Sequence, residues 1–120
     1  MSNDGAGVHG GRCGCGKIRV AASGKPKLVA NCHCKSCRKA TGAAFATFVD
    51  FERAAVRIKG DISIFQSSPG VERLFCGACG SPVAYSEINA DEINIHIGIF
   101  DEPHAFQPTE DSNLESRLWR

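Results

Sequence analysis

Leu28-Val29-Ala30-Asn31-Cys32-His33-Cys34-Lys35-Ser36-Cys37-Arg38-Lys39 is the stretch on which the reading of this chain turns. Its first three residues read as a short strand that runs straight into cysteines spaced C-x-C-x2-C. After Cys34 the residues through Thr41 suit one or two helical turns that stop at Gly42. Residues two apart on a strand share a face. Cys32 and Cys34 therefore face one way, Cys37 returns from the first helical turn, and His33 faces the other way. Zinc takes four ligands; structural sites fill all four from protein, and reactive sites hold three and keep one position open. Three thiols so placed can share one ion and leave one position over.

The other four cysteines fall in two pairs, Cys13/Cys15 and Cys76/Cys79. Cys76-Gly77-Ala78-Cys79-Gly80 is a zinc-knuckle pattern, a tight turn whose glycines permit positive φ and whose backbone N–H groups meet the thiolates. Cys13 and Cys15 lie in what reads as a half-buried strand, Arg12 to Ala22, with Ile18 and Val20 on one face and Lys17 and Arg19 on the other. Positions two apart on a strand stand about 6.6–6.8 Å apart, whereas sulfurs on one tetrahedral zinc approach to about 3.8 Å, from the Zn–S length near 2.3 Å. The strand must bend there, and Gly14 and Gly16 allow it. The arithmetic is four plus three. It predicts a closed, structural zinc on Cys13, Cys15, Cys76 and Cys79, and a second, reactive zinc on Cys32, Cys34 and Cys37.

Seven cysteines in 120 residues read as metal ligands more readily than as disulfides. An odd count leaves a disulfide framework one thiol over, and scattered buried thiols would not cluster in this way. Hydrophobic content of 42% and charged content of 22% are those of an ordinary soluble domain. No apolar run reaches the roughly 18 residues of a membrane span. The polar start, Met1-Ser2-Asn3-Asp4-Gly5-Ala6-Gly7, has no basic n-region or apolar h-region, so the expectation is a cytoplasmic protein. The size predicts one domain, with residues 1–10 a flexible arm and residues 11–120 the zinc-binding body.

Charge is uneven along the chain. Residues 1–60 carry eleven Lys and Arg against three Asp and Glu, and residues 61–120 carry three against ten. Such asymmetry fits an anionic ligand, or two halves of one domain that attract each other. The basic residues are not interleaved with aromatics and the pI is near 7.6, which speaks against a nucleic-acid partner. Lys35, Arg38 and Lys39 stand beside the second cysteine group. They are candidates for contacting the carboxylates of a substrate; the alternative is a solvated helix face. His33 is expected behind the site rather than as its fourth ligand, His96 as an ordinary strand residue, and His9 and His104 in loops.

Further strands are expected over Ala43 to Phe51, Val71 to Phe75, Pro82 to Tyr85 and Ile93 to Ile97. Ala55 to Ile58 and Ile62 to Phe65 read as a hairpin across Lys59-Gly60-Asp61, and Ser67-Ser68-Pro69-Gly70 is a turn. The tail from Asp101 reads as irregular, docked through Leu118-Trp119. The sum is a mainly β fold: a single small zinc-containing domain of several short antiparallel strands.

Taken together these residues resemble a known family. Gly11-x-Cys13-x-Cys15-Gly16-x-Ile18-Arg19, Cys32-His33-Cys34-x2-Cys37-Arg38-Lys39-x-Thr41-Gly42-Ala43, Arg73-x-Phe75-Cys76-x2-Cys79-Gly80-Ser81-Pro82 and Gly98-x-Phe100-Asp101-x-Pro103 are similar to the pattern of the glutathione-dependent formaldehyde-activating enzymes, a family that includes centromere protein V. The resemblance covers roughly residues 10–108. It implies the twisted zinc-containing β-fold also seen in a Rab-GTPase accessory protein, and the same division of the cysteines between two zincs. It also implies a carbon–sulfur lyase acting on a glutathione or other thiol adduct, such as S-(hydroxymethyl)glutathione. Asp111-Ser112 stand where many members have a histidine followed by an apolar residue. The alternative to an enzyme is a non-catalytic zinc module that binds a protein or nucleic acid.

Overall fold

In the central strand of this fold each side chain alternates between two kinds of surroundings, and that alternation positions the chemistry. The computed structural model describes residues 7–120. In chain order the strands are β1 (Val8–Arg12), β2 (Arg19–Ser23), β3 (Leu28–Cys32), β4 (Ala46–Glu52), β5 (Val56–Lys59), β6 (Ile62–Ser68), β7 (Val71–Cys76), β8 (Pro82–Glu87), β9 (Glu92–His96) and β10 (Glu110–Ser112), with one α-helix, α1 (Lys35–Thr41), between β3 and β4. They form a three-stranded sheet, β1-β2-β5, and a seven-stranded sheet, β10-β3-β4-β9-β8-β7-β6. All pairings are antiparallel except β10 with β3, which is parallel. The mainly β expectation is met.

β4 is flanked by β3 and β9. Its Val49 and Phe51 are fully buried and enter the main core with Val20 and Ala22 of the smaller sheet, with Ile18 just before it, and with Phe100 and Phe106. Phe100 and Phe106 lie with ring centroids 4.9 Å apart, and Phe106 meets Phe51 edge-on. Because strand side chains alternate, Ala46, Phe48 and Asp50 project from the other face. There Ala46 and Phe48 form a second, small cluster with Cys37, against which Cys32, Cys34 and Tyr85 pack. The same alternation puts Ile93 and Ile95 of β9 in the main core, and Asn94 and His96 on the second face. One face of the large sheet is thus core, and the other carries Cys32, Cys34 and Cys37.

Four local expectations are corrected. Val8 to Gly10, expected as the end of a loose arm, open β1 (Val8–Arg12), which pairs with β2 over its whole length; the arm through Ala6 lies outside the described residues. The strand expected from Arg12 begins only at Arg19, because Cys13 to Ile18 fold into a tight turn in which the Cys13 N–H donates to the Ile18 carbonyl at 3.0 Å. β5 and β6 are not a hairpin: β5 pairs with β2, and β6 with β7. Gly60 sits where the chain leaves one sheet for the other, with φ of 113°, and a Cβ there would collide with the Lys17 carbonyl oxygen. Close approach of two backbones, not a two-strand turn, is what that glycine serves. Finally, the tail holds β10, while Leu118 and Trp119 stay exposed at 51% and 70%. Beyond Phe106, which is buried in the main core, the tail is held by backbone pairing rather than by Leu118 and Trp119.

Candidate metal centres

The first cysteine group joins two turns far apart in sequence. Cys13 Sγ lies 3.6 Å from Cys15 Sγ, and Cys15 Sγ lies 3.7 Å from Cys76 Sγ. All four sulfurs of Cys13, Cys15, Cys76 and Cys79 are within 4.8 Å of one another. Gly16 and Gly80 each take φ of 81°, closing the two loops as matched turns. Backbone donors reach the sulfurs as the knuckle pattern requires: the Ile18 N–H donates to Cys13 Sγ at 3.2 Å. Ser81 stitches the turns together, its Oγ accepting from the Gly14 N–H at 3.0 Å and standing 3.2 Å from Cys79 Sγ.

The thiols of this group differ in proton affinity. Hydrogen bonds from the Ser81 hydroxyl and backbone, then from the Cys15 backbone, bring Cys79 down to about 5. Cys15 moves the other way: a lowering bond from the Lys17 backbone is outweighed by desolvation and by the thiols of Cys13, Cys76 and Cys79, and it rises to about 11. Crowded sulfurs cannot all ionise together unless a cation shares their charge. Spacing near the roughly 3.8 Å of a tetrahedral tetrathiolate, and hydrogen bonds already aimed at sulfur, make the four residues a fit for zinc.

The second group is built at the junction of β3 and α1. Cys34 is the N-cap of the helix, with φ of −66° and ψ of 154°, and its sulfur accepts from the Cys37 N–H at 3.2 Å. That first turn carries Cys37 back over the strand, so its Sγ lies 3.4 Å from Cys32 Sγ. The three sulfurs lie within 4.8 Å of one another with no fourth protein ligand among the described residues. They open on a cavity of about 260 Å³ that Asp50, Tyr85, Glu87, Glu110 and Asn113 also line.

Two side chains distant in sequence complete the surroundings. β10, pairing with β3, delivers Asn113, whose Nδ2 donates to Cys32 Sγ at 3.3 Å. Arg73 of β7 is buried, donates to Ser36 Oγ at 2.8 Å, holds two nitrogens 3.7 and 3.8 Å from Cys37 Sγ, and lies over the Tyr85 ring at 4.9 Å. Desolvation of Cys32 is overcome by hydrogen bonds from the Cys34 backbone and then from Cys37, Asn113 and Ser112, which lower it to about 7. Cys37 is raised to about 12 by desolvation and by the Cys34 and Cys32 sulfurs, only partly opposed by Arg73. A cation is again what would let all three ionise, and three thiolates suit zinc.

The remaining sequence-nominated residues separate. His33 points away from the sulfurs, its Nε2 2.9 Å from Asp111 Oδ1, so the aspartate at the position where the family pattern fades is the partner of the histidine beside the thiols. His96 is buried against Phe48, ring centroids 4.6 Å apart, and burial followed by the Arg73 charge lowers it to about 4. None of Lys35, Arg38 and Lys39 lines the thiol cavity. Arg38 donates to the His33 carbonyl at 2.8 Å and the Ser116 carbonyl at 2.6 Å, tying the tail to the helix. Lys35 and Lys39 line a larger cleft elsewhere. The thiol cavity carries carboxylates where a basic flank was expected.

Arg73 and Asn113 were not nominated from the sequence. Arg73 lay in plain view beside the knuckle, as the cation between Val71 and Phe75 on one face of Val71-Glu72-Arg73-Leu74-Phe75-Cys76. Asn113 carries no local signal, since its place depends on the parallel pairing of β10 with β3 and its hydrogen bond crosses 81 residues.

Three comparisons bear on these observations. The profile of a family described as glutathione-dependent formaldehyde-activating enzyme matches residues 8–116. An uncharacterized lyase of Schizosaccharomyces pombe is 28% identical over 79 residues, 66% of this chain and 58% of the relative, so the match spans little more than half the length of that protein. A crystal structure of a Rhodobacter sphaeroides protein is similar in fold, with a TM-score of 0.68 at 18% identity, covering 86% of this chain and 99% of the other.

Proposed function

This chain belongs to the glutathione-dependent formaldehyde-activating enzyme family, and from that premise we propose that it is a zinc-dependent carbon–sulfur lyase acting on the adduct of a small thiol with an aldehyde. S-(hydroxymethyl)glutathione, formed from glutathione and formaldehyde, is the first substrate to test. The observation that carries the reading is the second thiol group: three convergent sulfurs, no fourth protein ligand among the described residues, and a cavity in front of them.

Zinc held by Cys32, Cys34 and Cys37 would supply a Lewis acid and a template for sulfur or a hydroxymethyl oxygen. The chain's own residues do the rest. The Cys37 N–H, the Asn113 amide and the Arg73 guanidinium reach the sulfurs of Cys34, Cys32 and Cys37 in turn, and the Asn113 bond favours the ionised form of Cys32. Soft thiolate surroundings favour a soft incoming ligand, so a thiol is a better occupant than water. Asp50, Glu87 and Glu110 line the cavity and suit the ammonium group of a γ-glutamyl thiol rather than its carboxylates. A second zinc on Cys13, Cys15, Cys76 and Cys79 would be structural.

Exchange NMR on glutathione and formaldehyde tests the reading. Zinc-loaded protein is expected to accelerate interconversion of free and hydroxymethylated glutathione, and the Cys34→Ser variant to lose that acceleration. Equal exchange rates with and without the loaded wild-type protein would overturn the proposal for this substrate.

A further inference from the structure

Arg73 has a second exposure besides Cys37. It lies on the wall of a cleft of about 810 Å³ between α1 and the β6–β8 face, a size typical of small-molecule sites. No thiol lines this cleft, and no residue lines both it and the thiol cavity. Its surface is largely apolar, from Phe65, Leu74, Phe75, Pro82 and Ala84, and Phe65 is 62% exposed on the edge strand.

The charged groups there, Lys35, Lys39 and Arg73, are of one sign. Arg73 is 8% exposed, yet the ion pairs among the described residues are Arg12–Asp101, Lys27–Glu52 and His33–Asp111. No carboxylate pairs with Arg73. A guanidinium has five N–H donors; here they meet the Ser36 hydroxyl at 2.8 Å and the Cys37 sulfur at the long distances of 3.7 and 3.8 Å. An ionised Cys37 would answer this cation only at that long range, and an anion in the cleft would complete it at hydrogen-bond distance. Lys35 and Lys39 add two further cations without carboxylate partners at the same cleft.

We infer that this cleft binds an organic anion with an apolar body, its carboxylate or sulfonate meeting Arg73 and Lys39 and its alkyl or aryl part lying against Phe65, Leu74 and Ala84. The site is separate from the thiol cavity and stands whether or not the chain is a lyase. Charge complementarity fixes the head group, and the aromatic and aliphatic wall fixes the body.

The test is NMR of the isotope-labelled, zinc-loaded full chain titrated with 4-phenylbutyrate, its neutral amide and 4-phenylbutylamine. The carboxylate is expected to shift the backbone amides of Ala40, Leu74 and Ala84 saturably while leaving those of Glu110 and Asn113 in place. It should bind about tenfold more tightly than the amide, the difference a charge-assisted hydrogen bond makes, and the amine should bind more weakly still. The surface variants Phe65→Ser and Lys39→Glu should each weaken carboxylate binding. Equal affinity for acid and amide, absence of saturable shifts, or shifts centred on the thiol cavity would each overturn the inference. Because the readout is binding, a protein inactive on glutathione adducts can still pass, and an active lyase can still fail.

Discussion

The two cysteine groups gather the same atom across very different chain separations, and the separation decides what a bound metal would do for the fold. Cys15 and Cys76 are 61 residues apart; Cys32 and Cys37 are five apart. A metal ion on the first group would close a long loop and pin the turn between β1 and β2 to the turn between β7 and β8. One on the second would join a strand end to the helical turn that follows it, which local backbone geometry already does. Loop-closure entropy grows with the length closed, so the first group is where a metal contributes most to folding. The second group instead gathers groups that are costly to bury: Arg73, Asp50 and His96 are all under a tenth exposed on the same face. On the proposed reading, a metal at the first site would hold the fold together, and the fold would hold the second site.

The sharpest way to break this comparison is to remove one sulfur from each group. Cys76→Ser is expected to leave a chain that does not fold cooperatively, because structural zinc binding is worth about 10–16 kcal/mol in small domains and whole domains are stable by about 5–15 kcal/mol. Cys34→Ser should lower zinc content from two ions per chain to one, matching the two groups, and keep a cooperative thermal transition. Elemental analysis with circular-dichroism melting checks both. If the two variants melted alike, the division of labour would be wrong.

The grouping of the sulfurs was legible in the sequence, for a physical reason: C-x-C-x2-C and C-x2-C are local patterns, and local geometry alone brings their sulfurs together. The pairing of Cys13 and Cys15 with Cys76 and Cys79 followed by counting. What could not be read was anything set by long-range register. Asn113 reaches Cys32 only because β10 runs parallel to β3, and a three-residue strand of Glu110, Asp111 and Ser112 has no strand-forming signature. The false hairpin at Lys59-Gly60-Asp61 has the same origin, since turn residues mark a reversal but not which sheet the chain joins next. Lys35, Arg38 and Lys39 were read as one basic flank because they adjoin in sequence. On a helix they diverge, and Arg38 turns to the tail while the lysines turn to the cleft.

A smaller effect sharpens the cost of the second face. His96 is held near 4, below its ordinary value of 6.5, by burial and then by Arg73. The unfolded chain therefore binds the proton first as the pH falls. The stability this residue contributes is fully present above about 6.5 and is lost progressively as the pH drops toward 4, where it amounts to about 3 kcal/mol at 1.36 kcal/mol per unit. Nitrogen-15 NMR should find His96 neutral at pH 5, while an ordinary exposed imidazole is by then charged. A His96 that titrates near 6.5 would mean that this face is wetter and less costly than described.

The smallest expected effect separates the two groups by their support rather than their sulfurs. Asn113 donates to Cys32 from a left-handed backbone, φ 58° and ψ 43°, so Asn113→Ala removes an amide and strains the chain at once. Asn113→Gly removes the amide and relieves the strain. Hydrogen-bond partners of metal ligands are worth about 10–100-fold in affinity, or about 1.4–2.8 kcal/mol. Both variants are expected to weaken zinc binding at the three-thiol group by that factor and leave the four-thiol group unchanged, as a competing chromophoric chelator would resolve in two steps. Weakening by alanine alone would show that β10 matters through its backbone. Weakening by both assigns the effect to one side-chain hydrogen bond that the tail carries across the sheet edge.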